Sequence, residues 1–224
     1  LSWVNDLKIR ASYGTSGNDN IGYYDYLGLY STGWNYNGAS GILHSQLPNP
    51  YLSWEENKST NIGLEFKLFD RISGTIDYYT RLTDNLLYEK PISPVTGFNS
   101  VYSNDASIKN SGVEFELKAD LIQSDDLYWN IGFNISSNNN EIVSVPNDEY
   151  VNNNFIWKEG ESLYTFYIKE WAGVDPANGN PLWYMDELDG TGNPTGNKVT
   201  TNNYNQATKY EIGDALPDAF GSFN

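Results

Sequence analysis

Five stretches of this chain alternate strictly between apolar and polar residues, and a period of two commits a segment to β-strand with one dry and one wet face. In the first, Leu7, Ile9, Ala11 and Tyr13 share one face and Lys8, Arg10, Ser12 and Gly14 the other. In the second, Ile62, Leu64, Phe66 and Leu68 alternate with Asn61, Gly63, Glu65 and Lys67. The third sets Ile72, Gly74, Ile76, Tyr78, Thr80 and Leu82 against Ser73, Thr75, Asp77, Tyr79, Arg81 and Thr83. Val113, Phe115, Leu117, Ala119 and Leu121 define the fourth, with Gly112, Glu114, Glu116, Lys118 and Asp120 between them. Trp129, Ile131, Phe133 and Ile135 define the fifth, interleaved with Asn130, Gly132, Asn134 and Ser136. No segment carries a convincing helical period, so the expected fold class is all-β.

The connections are sorted by length. About forty Gly-, Asn- and Tyr-rich residues separate the first two strands, whereas Asp70-Arg71 alone turns the second into the third. Some twenty residues follow the third strand, a short Gln123-Ser124-Asp125-Asp126 turn follows the fourth, and roughly seventy-five residues follow the fifth before a strand near Leu216. Long connections alternating with short ones are the asymmetry of an outer-membrane barrel, whose periplasmic turns are short and extracellular loops long. The expectation is therefore a partial antiparallel transmembrane β-barrel of about five or six strands. Phe220 and Phe223 mark the opening of a further strand, and both ends of the chain are expected to be cuts through a longer protein.

Composition narrows the function classes. A formal net charge of -16 repels phosphate backbones, and the scattered Lys and Arg form no basic patch, so no nucleic-acid partner is expected. Absence of Cys removes disulfides, thiolate nucleophiles and Cys-zinc sites. The lone histidine, His44, is expected to be a solvated loop residue, and neither metal nor cofactor is expected. Mean hydropathy is -0.56 although 15% of residues are aromatic, and Tyr and Trp suit surfaces that are apolar at one end and wet at the other. No apolar run reaches the ~18 residues of a spanning helix, so a membrane protein of this sequence has to be a barrel. On the wet faces Lys8, Arg10, Lys67, Arg81 and Lys118 balance Glu65, Asp77, Glu114, Glu116 and Asp120. The acidic excess lies in the loops: between Glu141 and Ala215, twelve Asp or Glu face only Lys158, Lys169, Lys198 and Lys209. A mixed-charge face suits a water- or plug-filled lumen, not a packed soluble core.

Several phrases resemble the C-terminal barrel of SusC/RagA-type TonB-linked outer-membrane proteins. They are Leu7-Lys8-Ile9-Arg10-Ala11-Ser12-Tyr13-Gly14-Thr15-Ser16-Gly17-Asn18, Asn49-Pro50-Tyr51-Leu52-Ser53-Trp54-Glu55, and Asn61-Ile62-Gly63-Leu64-Glu65-Phe66. Arg71-Ile72-Ser73-Gly74 with Asp77-Tyr78-Tyr79, Asn110-Ser111-Gly112-Val113-Glu114-Phe115, Gly173-Val174-Asp175-Pro176 with Gly179-Asn180-Pro181, and Ile212-Gly213-Asp214-Ala215-Leu216-Pro217 complete the set. The resemblance implies that residues 1–224 are part of a barrel of about 22 strands in the cell outer membrane. It also implies a SusD-like surface lipoprotein as partner and glycan or peptide cargo, with energy from the TonB system through an N-terminal part that this segment lacks. Relatives often carry a calcium-loop-like stretch, but Asp186-Glu187-Leu188-Asp189-Gly190-Thr191-Gly192-Asn193 lacks the spacing that presents alternate oxygens to the ion, and a polar loop is expected there.

Enzyme chemistry has no signature here: there is no Gly-x-Ser-x-Gly elbow and no phosphate-cradling glycine loop. Phe66, Phe69, Tyr78 and Trp129, at strand ends, are expected in the lipid-interface girdle. The loop aromatics Trp157, Trp171, Trp183, Trp34 and Tyr36 are the expected cargo or partner contacts, because flat rings stack on sugar faces. The segment 141–215 is expected to be a long extracellular loop, with Tyr164–Ile168 a strand extending above the membrane and Pro176-Ala177-Asn178-Gly179 turning back toward Leu182-Trp183-Tyr184. The alternative is a secreted carbohydrate-binding or adhesin-like β-sandwich, which explains the aromatics and acidity but not the loop parity.

Overall fold

The computed structural model describes residues 3–146 and 149–224. In chain order, β1 (Val4–Asn18) is followed by the hairpin β2 (Leu29–Tyr36) and β3 (Ala39–Gln46), then by the long strands β4 (Glu55–Leu68), β5 (Ile72–Pro91), β6 (Ser100–Gln123) and β7 (Tyr128–Ser144). Shorter strands follow: β8 (Glu149–Asn152), β9 (Phe155–Lys158), β10 (Thr165–Lys169), β11 (Trp171–Val174), β12 (Pro181–Leu188), β13 (Pro194–Thr201), β14 (Lys209–Asp214) and β15 (Phe220–Phe223). Two single-turn 3-10 helices, at Pro94–Thr96 and Tyr204–Gln206, are the only helical pieces among the described residues. The chain divides into two units, Leu1–Pro146 with Asp218–Asn224 and Asn147–Pro217.

The first unit is an antiparallel sheet in the order β1-β4-β5-β6-β7-β15. Its register sorts the side chains as the alternation predicts. Ile9, Leu64, Ile76, Phe115 and Ile135 form one row across five strands, with Leu7, Phe66, Gly74, Leu117 and Phe133 below it and Ala11, Ile62, Tyr78 and Val113 above. Rows on one face lie ~6.6 Å apart along the strand. The next row up is amphipathic (Tyr13, Thr60, Thr80, Ser111, Asn139), and the one above carries Lys58, Lys109 and Glu141. Lys58 pairs with Asp84 at 2.7 Å and Glu56 at 3.2 Å, and Lys109 with Glu141 at 3.2 Å. One face of the sheet therefore changes from apolar to charged within two rows, as the outside of a transmembrane barrel does where it leaves the hydrocarbon.

Ile9 is 76% exposed and Ile62 51%, which a sandwich would bury. The buried positions Tyr88, Ala106 and Ile142 lie beyond the charged row, toward the long-loop end. Short turns close the other end, at 69–71 and 124–127.

Two connections differ from expectation. The link from β5 to β6 is only residues 92–99, not some twenty, because both strands continue past the apolar band. Bulges between Thr83 and Leu86 and between Leu86 and Tyr88, with Asn85 at φ 55, break the parity there. The buried Glu55 carboxylate accepts from the Leu87 amide at 2.9 Å and from Asn18 Nδ2 at 2.7 Å, so the bulge leaves that amide satisfied. The strand expected near Leu216 starts at Phe220, and its register with β7 puts Phe220 and Phe223 on opposite faces.

The Phe66 ring packs over Gly74, its partner on the neighbouring strand β5. A Cβ at Gly74 would lie 2.6 Å from the Phe66 ring and 2.7 Å from the Glu116 carbonyl. Gly74→Val should therefore cost about 1–3 kcal/mol, the usual range for overpacking. Urea titration of the folded full-length barrel in lipid checks this; a change under about 0.5 kcal/mol would show that the ring yields freely.

The second unit holds a four-stranded sheet, β14-β10-β9-β8, and a three-stranded one, β11-β12-β13. Phe155 stacks on Phe166 at 5.2 Å and meets Tyr164 edge-on, and Ile156 and Thr165 are buried. Thr165–Lys169 is a strand as predicted, paired with β14 and β9. The turn between β11 and β12 also forms: the Asp175 amide donates to the Asn180 carbonyl, its carboxylate accepts from the Ala177 amide and Asn178 Nδ2, and Gly179 takes φ 76.

Candidate functional site: a polar wall and an aromatic corner

The face of the six-stranded sheet opposite the apolar band is a wall of paired charges and hydroxyls. Arg10 on β1 reaches both oxygens of Asp77 on β5, at 2.6 and 2.8 Å, and its other Nη meets Glu65 on β4 at 2.8 Å. Lys8 adds a 3.3 Å contact to the same Glu65. The guanidinium crosses β4 because Gly63 lies beneath it: a Cβ there would sit 2.4 Å from Arg10 Nε and 2.3 Å from Asp77 Oδ1. Planar guanidinium suits this two-carboxylate bridge, whereas a lysine would satisfy one partner at a time. Farther along, the Tyr79 hydroxyl donates to Asn138 at 2.9 Å and Arg81 Nε to Ser59 at 3.3 Å. Such a wall is wettable and nearly neutral; Lys8, Arg10, Glu65 and Asp77 are paired across strands, and Lys118 pairs with Glu116 on its own strand. Among the described residues no group of three or more His, Asp or Glu could hold a metal ion.

The second feature lies within the second unit. Trp171 on β11 faces Trp183 on β12 across the hairpin, their rings 5.9 Å apart and near perpendicular. Tyr204, brought in by the 3-10 helix Tyr204–Gln206, meets Trp183 edge-on at 5.2 Å. Lys169 lies over the Tyr204 ring at 4.1 Å and donates to the Tyr204 carbonyl. Trp171 and Tyr204 are more than half exposed, so the corner presents two ring faces and a cation to solvent. The other face of β12 carries a closed set: Lys198 sits over Tyr210 at 3.9 Å and pairs with Glu170 at 2.6 Å, while Tyr210 donates to Asp186 at 2.8 Å. Burial, with the Asp186 carboxylate beside it, pushes the Tyr210 hydroxyl up from its ordinary value.

Of the five expected contact residues, Trp157, Trp171 and Trp183 lie in the second unit and Trp34 and Tyr36 in the first. Trp171 and Trp183 come together. Trp157, on β9, packs against Tyr150 at 5.1 Å and is half-buried. Trp34 and Tyr36 project from the β2–β3 hairpin of the first unit, 53% and 82% exposed, with Trp34 Nε1 donating to Ser31. His44 is not a solvated loop residue: it lies on β3, half-buried, between Tyr30 at 4.1 Å and Phe98 at 6.1 Å. Sequence reasoning missed Tyr204 and Lys169, whose approach depends on a connection from β13 that no local pattern marks. In the Asp186–Asn193 stretch, Asp189 caps its own turn, accepting from the Thr191 amide and hydroxyl and from the Asn193 amide. Those bonds hold its carboxyl below the usual range.

Residues 1–223 match the family described as TonB dependent receptor-like, beta-barrel. The chain is 37% identical over 176 residues to TonB-dependent receptor P39 of Formosa agariphila, covering 78% of this chain and 17% of that protein. It is 33% identical over 216 residues to TonB-dependent receptor SusC of Bacteroides thetaiotaomicron, covering 86% and 21%. Among solved structures, that of the RagAB peptide transporter superposes with a TM-score of 0.81 at 34% identity, over 99% of this chain and 25% of the matched one. The chain thus spans a quarter or less of the length of these relatives.

Proposed function

Because this chain belongs to the TonB-dependent receptor β-barrel family of outer-membrane proteins, we propose that it is a wall segment and a cargo-side surface of an active nutrient importer. The observation that carries this reading is the two-faced sheet: a band of apolar rows on one side, and on the other a polar wall in which Arg10 bridges Glu65 and Asp77 across three strands. The relatives are receptors and importers, not enzymes. In the proposed arrangement the short turns at 69–71 and 124–127 face the periplasm, and the 141–215 segment is extracellular. A SusD-like lipoprotein caps the barrel, and the TonB system drives uptake through the part of the receptor outside this segment. The RagAB peptide transporter supports peptide as one cargo class, and the likeness to SusC supports the SusD-like partner.

Within that arrangement, Trp171 and Trp183 are the contact residues proposed for cargo or cap, with Trp157, Trp34 and Tyr36 as further ring surfaces. Trp171→Ala in the full-length receptor should weaken cargo or cap binding about tenfold, as loss of a ring contact worth ~1.4 kcal/mol would. Trp183→Ala should weaken it similarly by removing the ring on which Trp171 and Tyr204 both lean. Uptake-dependent growth and binding of purified receptor to cargo and cap are the measurements. Parental growth and binding in the Trp157, Trp171 and Trp183 variants alike would show that these rings only pack the loop.

A further inference from the structure

We infer that the aromatic corner is one end of a site for an acidic saccharide, in which Lys169 and Lys209 take the carboxylate or sulfate groups while the exposed Tyr204 and Trp171 rings hold a sugar face. The inference rests on the reading of that corner as a cargo surface and adds the chemical class of the cargo. Two of the second unit's lysines are committed within the fold: Lys158 pairs with Glu211 at 2.9 Å and Lys198 with Glu170 at 2.6 Å. Lys169 and Lys209 form no ion pair among the described residues, although they lie in a strongly acidic segment. Distant in sequence, they are set directly opposite each other by the pairing of β10 with β14. Opposite residues of an antiparallel pair share a face with their Cβ atoms about 5 Å apart, and like charges there repel.

The two ammonium groups rest on rings instead of carboxylates. Lys169 lies over Tyr204 at 4.1 Å and donates to the Tyr204 carbonyl, while the Lys209 ammonium is 5.7 Å from the centre of the Tyr167 ring. The nearby carboxylates are engaged elsewhere: Glu211, opposite Tyr167, is taken by Lys158, Glu170 by Lys198, and Asp186 accepts from Tyr210. Two facing lysines without a counter-ion weaken their own strand pair, and an anion lying across them removes that repulsion. Both are half-buried, so their stems are held on the sheet. The acidic surroundings do not cancel the attraction, because exposed charges more than ~8–10 Å away are screened at physiological salt. The rings decide what carries the anion. Tyr204 meets Trp183, which meets Trp171, so the lysines run into a corner where Tyr204 is 53% and Trp171 55% exposed. Open ring surfaces take the flat C–H face of a pyranose, whereas an acidic peptide would satisfy the lysines and leave the rings without a flat partner.

The test measures binding of the purified full-length receptor to immobilised uronate-containing and sulfated oligosaccharides, to their methyl-esterified or desulfated forms, and to oligo-glutamate. Acidic saccharides should bind about tenfold more tightly than their neutralised forms, as one charge-assisted hydrogen bond would provide. Lys169→Gln and Lys209→Gln should each remove about tenfold of that affinity, and Lys209→Arg should keep it. Lys209→Gln should leave urea stability in liposomes unchanged or raised, since it relieves the repulsion between the pair; a loss of stability would assign Lys209 to packing on Tyr167 and overturn its role. Unchanged affinity in both glutamine variants would overturn the proposal, and so would a panel in which no acidic saccharide binds or only oligo-glutamate does. Saccharides bound equally with and without their charges, and weakened by Trp171→Ala, would leave the cargo surface standing and remove its acidic character alone.

Discussion

Ile9→Arg in the full-length receptor should lower barrel stability by about 2–4 kcal/mol, while Ser12→Arg on the same strand should cost less than about 1 kcal/mol. Ile9 sits in the middle apolar row with Leu64, Ile76, Phe115 and Ile135. It is 76% exposed within this sheet, so the substitution removes little protein packing and its cost is mainly that of placing a guanidinium in hydrocarbon. Ser12, opposite Asn61, belongs to the polar wall, where an added cation meets water and the nearby Asp77 and Glu114. Equilibrium urea unfolding in liposomes reads both. Equal costs at the two positions would mean that the apolar face does not contact lipid, and the facing assignment would fall with it.

The parity that this experiment probes was legible in the sequence because lipid enforces it. A barrel strand inside the bilayer has one face in hydrocarbon and one in water, so Leu64 and Phe66 cannot trade places with Glu65. Above the charged row no hydrocarbon faces the sheet and the constraint lapses. Thr83-Asp84-Asn85-Leu86-Leu87-Tyr88 continues β5, yet its alternation is broken by two bulges, and it reads as loop. The same holds for Ser100–Ile108, the early part of β6. The β2–β3 hairpin has a local signal of its own: Asn37-Gly38 between Tyr36 and Ala39, with φ 50 and 84, is the favoured two-residue turn.

The aromatic corner was half legible for a related reason. Trp171 and Trp183 flank a visible turn, so a hairpin brings them close. The bulge between Trp171 and Gly173, which fixes the pairing of the two tryptophans, has no signature beyond a glycine, here at φ 107. Tyr204 arrives from beyond β13, a contact that propensity and periodicity do not encode. Alternation thus identified the wall and its facing, while the surface proposed to meet cargo is built from non-local contacts among short strands.

Expressed alone, residues 1–224 should accumulate as inclusion bodies, and the recovered chain should stay aggregated in buffer without detergent. Among the described residues the six-stranded sheet leaves the outer side of β1 unpaired, and residues Phe220–Asn224 cover only Gly132–Ser136 of β7. Two open edges are templates for pairing with other chains. One face also exposes Leu7, Ile9, Ile62, Ile76, Tyr78, Val113, Phe133 and Ile135 together, a continuous apolar surface of the kind that drives association in water. The buried apolar side chains of the first unit, Tyr88, Ala106, Ile142 and Val145, lie beyond the band, so they offer no compensating core beneath it. Within the second unit, Ile156 on β9 and Ala207, just after the 3-10 helix Tyr204–Gln206, are buried. Size-exclusion chromatography and thermal unfolding, with and without detergent, give the readout. A monodisperse monomer that melts cooperatively in plain buffer would mean that the apolar rows are satisfied within this chain, and a transmembrane role for the sheet would no longer stand.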